Sequence, residues 1–118
     1  MTNTFADVVV VRFPFAEQNQ VKARPAIIIS SSTFNQARND VVVVAVTSQI
    51  QTRLDFEPLI EDWKSAGLFK QSAIKSAITT IRSDEIIQTI GRLSASDQQQ
   101  LFILLKTIFV LELPSLTE

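Results

Sequence analysis

The amino-acid sequence predicts a mainly β domain with short helices and one long helix near its C-terminal end. Three observations predict it. Runs of β-branched residues recur at residues 7–12 (DVVVVR), 24–31 (RPAIIISS) and 40–47 (DVVVVAVT), the composition that strands favour. Residues 72–82 alternate, with Ala73, Lys75, Ala77 and Thr79 on one face and Ile74, Ser76, Ile78 and Thr80 on the other. From Leu101 to Leu113, ten of thirteen residues are apolar, a stretch shorter than the ~20 residues of a bilayer span.

Taken in order, the first strand ends at Pro14, because proline has no N–H to give to a ladder. Residues 15–23 (FAEQNQVKA) are polar and aperiodic, a loop between two strands of the kind that carries function. Pro25 stands near the start of the second strand, where a ladder tolerates it. Residues 33–39 read as a short helical turn capped by Thr33. The third strand is apolar throughout and is expected to be buried on both faces. Residues 48–53 read as a loop, 54–57 (LDFE) as a short alternating strand, and 59–66 (LIEDWKSA) as one or two helical turns stopped by Gly67.

Residues 72–82 make one or two strands, Ser83-Asp84 a turn, and residues 85–91 a further strand. Ser94 with Asp97 resembles a capping box with a shorter acid. Helix follows from Ala95 to about Leu113, and Pro114 stops it. Leu101, Leu104, Leu105, Ile108 and Leu111 form its core stripe, which Phe102, Ile103, Phe109 and Val110 widen. A helix so apolar needs cover on more than one side. Either it is sunk into its own domain or it lies at a dimer seam.

The 118 residues fit one domain, 1–118, with no repeat or linker. There is no cysteine, histidine or tyrosine. Disulfides, thiol nucleophiles, imidazole bases and the usual soft metal ligands are therefore excluded together. Chemistry must rest on Arg, Lys, Asp, Glu, Ser, Thr or backbone amides. Eleven basic residues meet twelve acidic ones, for a net charge of −1, so a nucleic-acid partner has to be held by a local basic groove rather than by bulk charge. The first residues carry no basic segment before their apolar run, so they do not read as a secretory signal. The expected setting is the cytoplasm, with no membrane contact.

The pattern resembles the MazF/PemK family of toxins from type II toxin–antitoxin pairs. The resembling blocks are Asp7-Val-Val-Val-Val-Arg-Phe-Pro-Phe15, Arg24-Pro-Ala-Ile-Ile-Ile-Ser30, Asp40-Val-Val-Val-Val-Ala-Val-Thr-Ser48, Gly67-Leu68 leading into Ser72-Ala-Ile-Lys75, and Ile90-Gly-Arg-Leu-Ser94. They follow the family's order and span residues 5 to 111. The resemblance implies an SH3-like barrel of the CcdB/MazF/PemK type and a homodimer. It also implies cleavage of single-stranded RNA without metal or cofactor, and inhibition by a cognate antitoxin. One departure is Ala6 where the family usually has glycine. Another is the stretch after Lys75, which lacks the acid that some relatives carry.

RNA cleavage without a metal uses the 2′-hydroxyl as nucleophile and needs the anionic phosphorane stabilised. A guanidinium suits that task, being always charged and able to grip phosphate oxygens with two N–H groups. The resemblance makes Arg24 and Thr47 the catalytic pair. It also puts Lys75 on the strand that lines the RNA groove. By residue type and position, Ser48, Lys22 and Arg53 are candidates to contact phosphates, Phe15 to stack on a base, and Glu17 is the nearest candidate base. Read without the resemblance, Arg24 and Lys75 are also compatible with solvated surface charge, and Thr47 with capping its own strand end. Two other functions share the fold. One is a toxin binding DNA gyrase through the end of the last helix, although residues 113–118 (LPSLTE) carry no tryptophan for it. The other is a decayed toxin that keeps only antitoxin binding.

Overall fold

The computed structural model describes residues 3–14 and 21–115, with the backbone alone for residues 13, 14 and 21. Its elements are β1 (Asp7–Pro14), β2 (Val21–Ile28), α1 (Ser32–Arg38), β3 (Asp40–Thr47), β4 (Ala73–Arg82), β5 (Ile86–Arg92) and α2 (Ala95–Ile108). The strands form one antiparallel sheet in the order β4-β3-β2-β1-β5.

That order has a mechanical consequence. β4 and β5 are the two edges, yet only the 3-10 turn Ser83–Glu85 separates them. Four strand spacings put the edges of a flat five-stranded sheet ~19 Å apart. The chain from residue 82 to residue 86 reaches at most ~14 Å when fully extended. The sheet therefore rolls until its edges approach, which is the barrel-like form the sequence predicts.

Rolling leaves both faces buried. One face carries a strand-only cluster drawn from four strands, Val9, Val11, Ala26, Ile28, Val41, Val43 and Ile81, against which Ile86 of the fifth packs. The other carries Val8, Ile27, Val44, Val46 and Ile74, covered by Ile60, Ala66 and Leu68 of the β3–β4 connection and by Leu101 and Leu104 of α2. β3 feeds both clusters, which is why it reads as apolar throughout.

Several boundaries differ from the sequence expectation. β2 starts at Val21 rather than 24, because its ladder with β1 continues through Ala23, Lys22 and Val21, and it ends at Ile28. The cap of α1 is Ser31, whose hydroxyl accepts from the Phe34 amide, rather than Thr33. Residues 54–57 form a turn instead of a strand. The strand-like pairing falls just after it, where Leu59 bridges Ala73, the Ile60 amide donates to Ser72 and the Ile74 amide donates to Pro58.

Residues 61–67 are successive turns rather than an α-helix. Their first two amides, Glu61 and Asp62, donate to the two oxygens of buried Asp97 at 3.0 and 2.9 Å. Half of the expected capping box is present, since Ser94 Oγ accepts from the Asp97 amide. The Asp97 carboxylate, however, is turned to the 61–67 segment.

α2 is shorter than predicted. It stops at Ile108, and Phe109 is extended (φ −106°, ψ 146°). Leu104 is the last fully buried residue, while Leu105 and Ile108 still pack against the core; beyond Ile108, Phe109 and Val110 are exposed and no core contact offsets their weak helix preference. The helix is not sunk into the domain on all sides. Phe102 and Ile103 are 54% and 56% exposed, and the apolar residues after the helix are open as well.

Among the described residues, three adopt left-handed backbone: Ala6, Asn39 at the end of α1, and Gly67. Ala6 has φ 76° and a fully buried methyl, a conformation that costs an L-residue ~1–2 kcal/mol. Its amide donates to Ile28 and its carbonyl accepts from Leu93, so ladder-type bonds on both sides hold it there. The chain's two glycines meet each other. A Cβ on Gly67 would lie 2.1 Å from the Ile90 carbonyl oxygen, and one on Gly91 would lie 2.3 Å from the Ala66 carbonyl oxygen. The backbone of β5 thus rests directly on the backbone at the end of the 61–67 segment. Gly91→Ala should destabilise the protein by ~2 kcal/mol or more, as overpacking does, read as a lower urea midpoint. A wild-type midpoint would show that this contact does not bear on folding.

Candidate functional site

The β2–β3 ladder runs from Ile28–Val43 to Ala26–Ala45. Arg24 lies two residues beyond it on β2 and Thr47 two residues beyond it on β3, at the same end of the two strands. The β3–β4 ladder sets Thr47 against Ala73 and Ala45 against Lys75. Strand alternation, anchored by Ala26, Ile28, Val41 and Val43 in the strand-only cluster, puts all six residues on that face. Thr47–Ala73 and Ala45–Lys75 pair across β3 and β4, and Ala26 extends the second pair onto β2. Three methyl groups make a low floor, and Arg24, Thr47 and Lys75 rise around it. Lys22 follows Arg24 on the same side of β2, opposite Phe13.

The cations are open to solvent: Lys22, Arg24 and Lys75 are all exposed, and Thr47 is half-buried. Thr47 Oγ1 accepts the Gln49 amide at 3.0 Å. A hydroxyl that accepts in this way still has its own proton to donate. Among the described residues the ion pairs are Arg82–Asp84 and Arg92–Asp7, so no carboxylate within bonding distance neutralises Lys75. Such a cluster can hold an anion with two oxygens facing the floor, through a planar fork, a point charge and a hydroxyl.

The other predicted contacts fall elsewhere. Ser48 is exposed in the bend that follows Thr47. Arg53 bonds the Ile50 carbonyl through Nη1 at 2.9 Å. It lines a cavity of about 340 Å³ beside the first turn of α2, together with Asp55, Glu57, Glu61 and Asp97, and none of Arg24, Thr47 or Lys75 reaches that cavity. Phe15 and Glu17 lie outside the described residues. Trp63 packs against the helix-covered core.

One residue went unread in the sequence. β4 carries two extra residues, Ser76 and Ala77, between its pairings with Ala45 and Val44. A bulge of this sort leaves amides without a ladder partner, at a cost of ~1–3 kcal/mol for each buried one left unbonded. Glu57, only 5% exposed, supplies the acceptor. Its Oε2 takes the Ser76 amide and the Ser76 hydroxyl, both at 2.6 Å, and its Oε1 takes the Leu54 amide at 2.6 Å. Burial pushes this carboxyl up. The Ser76 and Leu54 bonds and the nearby Lys75 charge outweigh burial and hold it below its ordinary value of 4.5. The sequence offers only a weak signal for it, an acid between Phe56 and the Pro58-Leu59-Ile60 run, because its partner is nineteen residues away.

The chain matches a family model described as the PemK-like, MazF-like toxin of type II toxin–antitoxin systems, over residues 4–109. A search of curated proteins gives no match. Among solved structures, the fold is similar to the Mycobacterium tuberculosis toxin MazF-mt6 (22% identity, 91% of this chain and 99% of that one, TM-score 0.72). It is also similar to an endoribonuclease in complex with its cognate antitoxin from a mycobacterial species (18% identity, 96% and 98% covered, TM-score 0.70). A third is MazF from Deinococcus radiodurans (16% identity, 92% and 96% covered, TM-score 0.72). At these identities the likeness is one of fold.

The depressed Glu57 carboxyl sets a pH dependence. A group whose folded value lies below its unfolded one stabilises the fold above the unfolded value, and that gain is lost as pH falls through the folded value. The urea midpoint of the wild type should therefore drop below pH 4.5 more steeply than that of Glu57→Gln, which has no carboxyl to protonate. Parallel pH profiles for the two proteins would contradict the assignment.

Proposed function

Because the chain belongs to the PemK-like, MazF-like toxin family of type II toxin–antitoxin systems, we propose that it is a metal-independent, sequence-specific endoribonuclease. On this reading it cleaves single-stranded RNA in the cytoplasm and so arrests translation and growth. The observation that supports this best is the placement of Arg24, Thr47 and Lys75 on one face around the alanine floor.

In this reading the scissile phosphate sits over Ala45 and Ala73. The substrate's 2′-oxygen attacks phosphorus, its proton passes to water, the P–O5′ bond breaks, and the leaving 5′-oxygen takes up a proton. The products are a 2′,3′-cyclic phosphate and a 5′-hydroxyl. Arg24 donates two N–H groups to the phosphorane oxygens, and the Thr47 hydroxyl donates a third bond. Lys75 and Lys22 hold neighbouring phosphates. With no histidine in the chain, charge stabilisation rather than proton transfer supplies most of the rate. Glu57 is unsuited to act as a base, since its oxygens already accept three hydrogen bonds.

Replacing Arg24 with Ala should lower cleavage of a single-stranded RNA oligonucleotide ~10²–10³-fold, the usual loss when one donor to a developing oxyanion is removed. Arg24→Lys should fall between, keeping the charge but losing the fork. Purified wild-type protein that leaves RNA intact, while an unmutated relative cleaves it, would defeat the enzyme reading. Poisoning of gyrase by the same protein would instead favour a binding toxin.

The partners follow from the same reading. One is a cognate antitoxin, such as the mycobacterial endoribonuclease has. The other is a second copy of this chain, seated on the open side of α2, where Phe102, Ile103 and Phe109 are 54%, 56% and 45% exposed. Sedimentation should give a dimer for the wild type and a folded monomer for Ile103→Glu. A monomeric wild type at micromolar concentration would remove the dimer.

A further inference from the structure

We infer that Glu57 is a positioning residue that fixes which side chain of β4 stands beside Thr47, and with it where Lys75 meets RNA. From Asp40 to Val44, β3 pairs with β4 in one continuous register, Asp40 with Arg82 and Val44 with Ile78. Had that register continued, Ala45 would face Ala77 and Thr47 would face Lys75. Instead the two extra residues Ser76 and Ala77 shift it, so that Thr47 faces Ala73 and Lys75 faces Ala45.

The shift is by two residues, so every β4 side chain stays on its own face of the sheet. The alternation of faces alone therefore does not choose between the two registers. Besides the packing of Ile74 opposite Val46, what distinguishes them is the acceptor for the Ser76 amide. In the shifted register that amide has Glu57 Oε2, and the Ser76 hydroxyl shares the same oxygen.

The other oxygen of Glu57 ties in the chain that leaves Thr47. Oε1 accepts the Leu54 amide, and the Glu57 amide donates back to the Leu54 carbonyl. One carboxylate thus links the connection after Thr47 to the strand that bears Lys75. Lys75 lies close enough to favour the charged form of that carboxylate, without forming an ion pair with it. The ammonium keeps its donors for a ligand. The consequence is an uncluttered floor: the small Ala73 lies next to Thr47, and the cation stands one cross-strand pair away, in reach of a neighbouring phosphate rather than on the reacting one.

This inference rests on the RNA reading above, and the test separates the two. Binding of a 2′-O-methyl RNA oligonucleotide, which cannot be cleaved, is measured by fluorescence anisotropy. The four proteins are wild type, Lys75→Ala, Glu57→Gln and the double variant. Lys75→Ala should weaken binding ~10-fold in the wild-type background, as loss of one charge-assisted phosphate contact does, and less than ~2-fold in the Glu57→Gln background. Ser76→Ala, which removes one of the bonds to Glu57 and leaves its carboxylate in place, should give an intermediate coupling and keeps the test available if Glu57→Gln does not fold. On cleavable RNA, Ser76→Ala should raise KM with kcat little changed. Equal Lys75→Ala losses in all backgrounds would overturn the positioning role while leaving RNA binding intact. A wild type with no affinity for the oligonucleotide would overturn both.

Discussion

A connection of three residues joins strands at opposite edges of the sheet, and most of the architecture follows from it. Because Ser83–Glu85 cannot span a flat five-stranded sheet, the strands must curl, and Ile81 and Ile86 from the two edges come into one cluster. A curled sheet this small has apolar residues on both faces. One face closes on itself. The other must be covered by something else, and the chain supplies the β3–β4 connection and α2. Those covers are held by polar as well as apolar contacts. Asp97 at the start of α2 accepts two amides of the 61–67 segment, which is how a helix end and an irregular stretch are locked together without regular pairing.

The candidate site is a product of that geometry and of charge distribution on a small scale. The chain as a whole is slightly acidic, yet strand alternation puts Lys22 and Arg24 of β2 and Lys75 of β4 on one face of the sheet, on either side of β3. The acids of the β3–β4 connection are directed elsewhere: Glu57 into the β4 bulge, and Asp55 and Glu61 to the cavity beside α2. Net charge is thus a poor guide to what this protein attracts. Local potential over a low alanine floor is what a phosphate would meet.

Much of this was legible in the sequence, and the failures have physical causes. Strand identity came through because β-branched runs such as 40–47 owe their character to burial on two faces, a property that composition carries directly. Arg24 and Thr47 stand out as a candidate pair only through the family pattern, since a lone arginine and a strand-end threonine are common. Boundaries failed where tertiary contacts overrode local preference. β2 begins at Val21 because β1 offers it a ladder partner, and α2 ends at Ile108 because that is its last residue to pack against the core. Residues 54–57 alternate like a strand, but the free edge of β4 is taken by Leu59 instead. Glu57 was invisible because its meaning comes from an amide that only the bulge in β4 leaves without a partner.

The meeting of Gly67 and Gly91 bears on how the protein could be engineered. A common way to make a small domain hardier is to trade glycines for alanines, which narrows the unfolded ensemble and leaves the native state untouched. This chain contains two glycines, and each is where the other's neighbouring backbone would meet a new methyl group. The trade is closed at both positions, and altering them together does not reopen it, because each added carbon strikes main chain rather than a movable side chain. Any gain in robustness has to come from outside that contact: from relief at Ala6, from the ends of the helices, or from polar replacement of the open apolar residues beyond α2.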